Sequence, residues 1–141
     1  VKTIRIYHDG GCSPNPGQKY GSFQILNGKR ELFYKTRIPF GFGSNNEAEW
    51  ESLQFALKTL LSDMALYGAD PKKYALYVET DSKIVWYRLA KKNKIHKKPA
   101  WRESSERMYN HACACLADLA KFKKFSVEWK RRDANVERFG H

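Results

Sequence analysis

From position 2 to 9 the chain alternates in the period of a half-buried β-strand, ending on Tyr7-His8-Asp9. Positions 20–27 and 31–38 are rich in aromatic and β-branched residues and are separated by Asn27-Gly28. Three strands in succession predict an antiparallel meander. The period then changes. Leu53, Ala56, Leu57, Leu60 and Met64 recur at helical spacing after Ser44-Asn45-Asn46-Glu47, a capping-box pattern in which Ser44 and Glu47 would satisfy each other's free amides. A helix of about 20 residues is expected there, closed by Gly68 and Pro71. Tyr74 to Thr80 reads as a buried strand, followed by a helix through about Leu89, a connector from Ala90 to Ala100, and a helix from about Trp101 to Ala120. A fifth strand is expected near Phe125–Trp129, and the segment from Asn135 would start a short last helix. The order β-β-β-α-β-α-α-β-α describes an α/β domain with a mixed sheet.

The 141 residues suit one domain, 1–141, with one hydrophobic core. Apolar runs fall far short of the ~18 residues of a membrane span, and the opening residues lack the apolar block of a signal peptide. A soluble, cytoplasmic protein without a membrane partner is expected. Cys12, Cys113 and Cys115 are an odd set, and the last two diverge on a helix, so neither a disulfide nor a cysteine metal site is expected. A formal charge of +11 favours a polyanionic partner, nucleic acid or an anionic membrane surface.

Against that charge, the placement of a few acids is informative. Asp9 closes the first strand and Asp81 the fourth, so the two lie side by side if those strands are neighbours. Glu49 falls four residues before Leu53 on the helical stripe that must face the sheet, whereas Glu47 and Glu51 are rotated about 200° away. Each has an ordinary reading: Asp9 as a turn residue, Asp81 as a helix N-cap, Glu49 as a lysine's partner. Jointly they suggest something else. Close carboxylates repel unless a cation or shared proton separates them, and oxygen donors without histidine or cysteine suit Mg²⁺ or Mn²⁺ better than zinc.

The blocks Tyr7-His8-Asp9-Gly10-Gly11-Cys12, Asn15-Pro16-Gly17 and Tyr20-Gly21, then Asn45-Asn46-Glu47-Ala48-Glu49, then Thr80-Asp81-Ser82, resemble the type 1 ribonuclease H family. The resemblance implies a ribonuclease H-like fold, with three antiparallel strands and two parallel additions. It also implies a nuclease that hydrolyses the RNA strand of RNA/DNA hybrids by a two-metal-ion mechanism, leaving 5′-phosphate and 3′-hydroxyl ends. Two Mg²⁺ ions per site are expected, with Mn²⁺ as an alternative. Asp9 would bridge them, and Glu49 and Asp81 would complete their shells. By the same resemblance Asn15, Asn45 and Ser44 would contact nucleic acid. The basic segment carrying Lys91, Lys92, Lys94, Lys97 and Lys98, with Trp101 beside it, is similar to the family's basic protrusion that holds the DNA strand. A monomer needing no obligate protein partner is expected.

The chain departs from the family near its C-terminus. The family pattern Asn-x-x-Ala-Asp, kept in register on Asn135, puts Phe139 where the fourth acid belongs. Asn135 is placed first as a neutral fourth ligand, with Asp133 and Glu137 as competing carboxylates. The family's auxiliary histidine has no counterpart between Trp129 and Asn135. His8 and His111 are read as structural, and His141, the last residue of the sequence, is set aside because terminal residues are poorly held. Two alternatives stay open beside the nuclease: a catalytically weak hybrid-binding module, and another enzyme of this fold such as the ribonuclease H domain of a reverse transcriptase.

Overall fold

The computed structural model describes residues 2–90 and 103–141. Their strands are β1 (Lys2–Cys12), β2 (Gly17–Asn27), β3 (Arg30–Gly43), β4 (Tyr74–Thr80) and β5 (Lys124–Trp129). Their helices are α1 (Asn45–Leu66), α2 (Lys83–Ala90), α3 (Glu103–Leu119) and α4 (Arg132–Phe139), and Pro71–Lys73 form one 3-10 turn before β4. The sheet runs β3-β2-β1-β4-β5. β1 to β3 pair antiparallel, whereas β1–β4 and β4–β5 pair parallel, in agreement with the expected mixed sheet. The first three strands are longer than their apolar patterns. β3 continues through Pro39 because it lies at the sheet edge, where a missing N–H costs little.

Strand alternation divides the sheet into two faces. Ile4, Ile6, Phe23, Ile25, Leu76, Val78 and Val127 point to one side, where they share a core with Trp50, Leu53, Leu57, Leu60 and Met64 of α1 and with Ala112, Cys115 and Leu119 of α3. The 3-4-3-4 spacing of the α1 residues is what holds that helix along the sheet. Ser44 caps α1 by accepting the Glu47 amide at 3.2 Å. The reciprocal half of the expected capping box differs, because the Glu47 carboxylate turns to Lys19 and Arg107 instead. At the other end Gly68, at φ +69°, closes the helix with Ala69 N–H on Met64 O and Gly68 N–H on Ala65 O, the bond pattern of a Schellman motif.

α4 docks on the opposite face and begins three residues earlier than expected. Its N-cap, Arg131, makes no side-chain capping bond, which removes the usual sequence signal for a helix start. Asn135 and Phe139 are its buried residues, and Gly140 ends it in the left-handed conformation at φ +77°. Among the described residues no helix is long and apolar enough to cross a membrane.

Candidate active site

The parallel register of β1 and β4 pairs Tyr7 with Glu79. Two residues further along stand Asp9, still in β1, and Asp81, the first residue past β4. Glu49 arrives from α1, whose backbone crosses β1 at Gly10. There a β-carbon would lie 2.2 Å from Ala48 O, so only glycine admits the helix this close. The close approach lets the Gly10 amide donate to Glu49 Oε1. The structure thus brings Asp9, Glu49 and Asp81 together from three elements, with a carboxylate oxygen of each within 4.8 Å of the others.

The ordinary readings of these acids do not describe what they do. Ser82 rather than Asp81 caps α2, accepting the Val85 amide at 3.2 Å, while Thr80 Oγ1 accepts the Ser82 amide. Trp129 Nε1 donates to Asp81 O at 3.0 Å and ties the end of β4 to β5. Among the described residues Glu49 has no lysine partner. Burial first, then the charges of Asp81 and Asp9, push its carboxyl well above the usual range. The set fits a hard divalent cation, since it offers oxygen donors only, converging from separate elements, with mutual repulsion that such an ion relieves.

The acids open onto a cleft of about 560 Å³ whose walls include Gly11, Cys12, Tyr20, Asn45, Asn46, Ser82, Lys83, Ile84, Arg132 and His141. Asn45 stands at its rim, accepting the Cys12 amide at 2.7 Å. Asn15 is exposed, and its Oδ1 accepts the Asn45 amide at 3.1 Å. Ser44 is occupied as the α1 cap. Lys91, Lys92, Lys94, Lys97, Lys98 and Trp101 lie outside the described residues.

The C-terminal region differs from expectation. Asn135 is buried but does not line the cleft; its Nδ2 donates to His8 O at 3.3 Å, tying α4 to β1 beside Asp9. Asp133 is exposed and faces Arg131, Glu137 is exposed, and Phe139 is buried. His141, set aside as a terminal residue, instead has its side chain buried against the site, with Nδ1 3.2 Å from Asp9 Oδ2. Sequence reasoning missed it because only the turn at Gly140 and the docking of α4 bring it there. His8 is fully buried beneath the site, donating from Nδ1 to Ser52 Oγ at 2.9 Å, because the Ser52 hydroxyl itself donates to Glu49 O. Burial lowers its imidazole to about 4, against the opposing pull of Asp81.

Sheet order and the acid cluster together define a ribonuclease H-like architecture. The chain belongs to the RNase H family, whose sequence model matches residues 1–134, and by that membership is a ribonuclease H, a nucleic-acid hydrolase. No curated protein sequence matches it. Solved structures share its fold. Ribonuclease H1 of the halophilic archaeon Halobacterium salinarum superposes with a TM-score of 0.71 at 22% identity, over 98% of this chain and 92% of that one. LC11-RNase H1, isolated from compost, gives 0.72 at 22% identity, over 98% and 91%. LC11-RNase H1 in complex with an RNA/DNA hybrid gives 0.68 at 22% identity, over 96% and 90%.

Proposed function

We propose that the protein is an endonuclease that hydrolyses the RNA strand of RNA/DNA hybrids, leaving 5′-phosphate and 3′-hydroxyl ends, with two divalent ions, Mg²⁺ or in its place Mn²⁺. The observation that carries this reading is the meeting of Asp9, Glu49 and Asp81 within 4.8 Å in a protein of the RNase H family. When bound, the ions supply the Lewis acidity that activates a water and stabilises the leaving 3′ oxygen. The chain's own residues hold and orient. Asp9, within β1, and Asp81, just past the end of β4, present carboxylates from neighbouring parts of a rigid sheet, and Gly10 N–H fixes the Glu49 carboxylate. Asn135 anchors α4 beside Asp9.

Asn45 borders the cleft where a hybrid's minor groove and its 2′-hydroxyls would lie, with Asn15 exposed and bonded to its amide, while Lys83 and Arg132 offer cations to phosphates. A fold relative bound to an RNA/DNA hybrid supports that choice of substrate. A second reading, a hybrid-binding module with weak turnover, is favoured by one observation: Phe139, at the fourth acid's place, is buried and offers no donor. One experiment separates the two. Labelled RNA/DNA hybrid, double-stranded RNA, double-stranded DNA and single strands are incubated with the chain and Mg²⁺ or Mn²⁺. Metal-dependent cutting of the hybrid's RNA strand alone is expected; tight hybrid binding without cutting would establish the second reading.

A further inference from the structure

His141 is held by Asp9, Ser22, Tyr20 and Phe139. After α4 the chain turns at Gly140, and the imidazole enters a slot between Tyr20, edge-on at 4.8 Å between centroids, and Phe139, stacked at 6.1 Å. Its Nε2 lies 2.5 Å from Ser22 Oγ, and its Nδ1 3.2 Å from Asp9 Oδ2. Ser22 and Asp9 face each other across the β1–β2 ladder. The side chains of His141 and Asp9 are 5% and 8% exposed, so the contact is shielded from water.

The support extends one step further, to the sheet edge. Ser22 Oγ also accepts the Arg37 amide at 3.0 Å. That amide points inward because β3 bulges there, the register passing from Gly21–Ile38 to Phe23–Lys35. Arg37 adopts φ +52°, a conformation an L side chain rarely takes, while its guanidinium lies over the Tyr20 ring. A strained residue, a buried serine and an aromatic slot converge on one imidazole. That imidazole touches the candidate metal cluster at a single atom.

We infer that His141 is a positioning residue for the reaction, its Nδ1–H held by Ser22 and the β3 bulge so that it donates to Asp9 Oδ2 and fixes the orientation of the Asp9 carboxylate. An ionised carboxylate only accepts, so Nδ1 carries the hydrogen in this contact. A carboxylate locked on one side presents its remaining lone pairs in one direction, as partners of ligating groups do in other metal sites. In this chain, where the fourth acid is a phenylalanine, α4 acts on the cluster through His141.

The inference rests on the nuclease reading, and the experiment separates the two. His141→Ala, His141→Asn and His141→Gln are made in the full chain and compared for kcat and KM on the hybrid, for Mn²⁺ affinity by calorimetry without nucleic acid, and for thermal unfolding. Alanine is expected to lower kcat about ten- to hundredfold, to weaken Mn²⁺ binding, and to leave KM for the hybrid unchanged. Asparagine, whose amide nitrogen overlays Nδ1, restores most of both; glutamine, whose amide overlays Nε2, does not. Parental kcat and Mn²⁺ affinity in the alanine variant, or asparagine and glutamine variants that behave alike, would overturn the inference. Should alanine prevent folding, the asparagine–glutamine difference still decides. Asp9→Asn runs alongside: full activity there removes both readings, whereas an inactive Asp9→Asn beside a fully active His141→Ala removes only the role of His141.

Discussion

Two groups of potential metal-binding side chains share helix α1, and their difference shows what makes one of them a site. Asp9, Glu49 and Asp81 converge within 4.8 Å, and so do Glu47, Glu51 and His111. The second group carries its own cations. Lys19, 6% exposed at its side chain, pairs with both Glu47 and Glu51, and Arg107 reaches Glu47 at 3.3 Å. Burial alone would raise the Glu47 carboxyl, but Arg107 and Lys19 hold it below the usual carboxylate range. Glu49, two residues along the same helix, moves the opposite way, because its neighbours are acids. One cluster is a finished brace between β2, α1 and α3. The other is an unfinished arrangement that a divalent ion completes.

The largest expected effect comes from taking one charge from each cluster. Asp9→Asn removes a negative charge with little change of volume and should abolish metal-dependent cleavage of the hybrid while far-ultraviolet circular dichroism stays native. Glu51→Gln leaves Glu47 to neutralise Lys19 and should retain turnover close to that of the parent. Equal losses in the two variants would dissolve the distinction.

Stability should respond with opposite signs. Because Glu49 titrates above its ordinary range, its contribution to folding is full at low pH and is lost as pH rises through its folded-state value, so at neutral pH it is a liability in metal-free protein. Glu49→Gln should therefore raise the Tm measured in a chelator, and added Mg²⁺ should stabilise the parent more than the variant. Glu47→Gln removes one partner of a buried ion pair and should cost up to about 3 kcal/mol, lowering the same Tm. Changes of like sign would show that both clusters serve the same purpose.

Much of this contrast was legible along the chain, and the illegible part has a common cause. The period-2 stretch into Asp9, the stripe through Glu49 and the strand into Asp81 are local patterns, each readable from neighbours a few residues away. Whether an acid is compensated depends on residues distant in sequence. Lys19 comes from β2 and Arg107 from α3, so Glu47, expected to face away from the core, is buried. His141 is the extreme case. Its slot is built from Tyr20, Ser22 and Phe139, with Arg37 behind them, and nothing in its own neighbourhood announces that its side chain is buried.

A smaller effect concerns the fully buried imidazole of His8, beneath the uncompensated cluster. Protonated, His8 would give that cluster the built-in cation that Lys19 gives the other, but burial delays its protonation to about pH 4. An imidazole that titrates near 4 rather than 6.5 corresponds to about 3 kcal/mol of stability, present above pH 6.5 and lost as pH falls towards 4. Glu49 works in the opposite direction over acidic pH, so the net slope for the parent is shallower than His8 alone would give. Denaturant unfolding at pH 7, 5.5 and 4.5 should show His8→Asn losing less stability on acidification than the parent. Parallel pH profiles would mean that burial leaves the His8 imidazole unshifted.

The smallest effect tests whether α4 extends the uncompensated cluster by one more ligand. Asn135 donates from Nδ2 to His8 O, and a carboxylate in its place has no hydrogen to give. Asn135→Ala should cost about 1–2 kcal/mol by leaving that buried carbonyl unpaired, with a modest fall in kcat as α4 and His141 loosen against β1. Asn135→Asp loses the same bond and adds a buried negative charge beside Asp9, so it should be no more stable than the alanine variant, with Mn²⁺ affinity no better than the parent's. Calorimetric titration of both variants with Mn²⁺ reads this directly. Tighter binding by Asn135→Asp, together with weaker binding by Asn135→Ala, would place residue 135 in the metal shell, as the neutral substitute for the fourth acid that the sequence reading puts first, and α4 would then supply a ligand of its own.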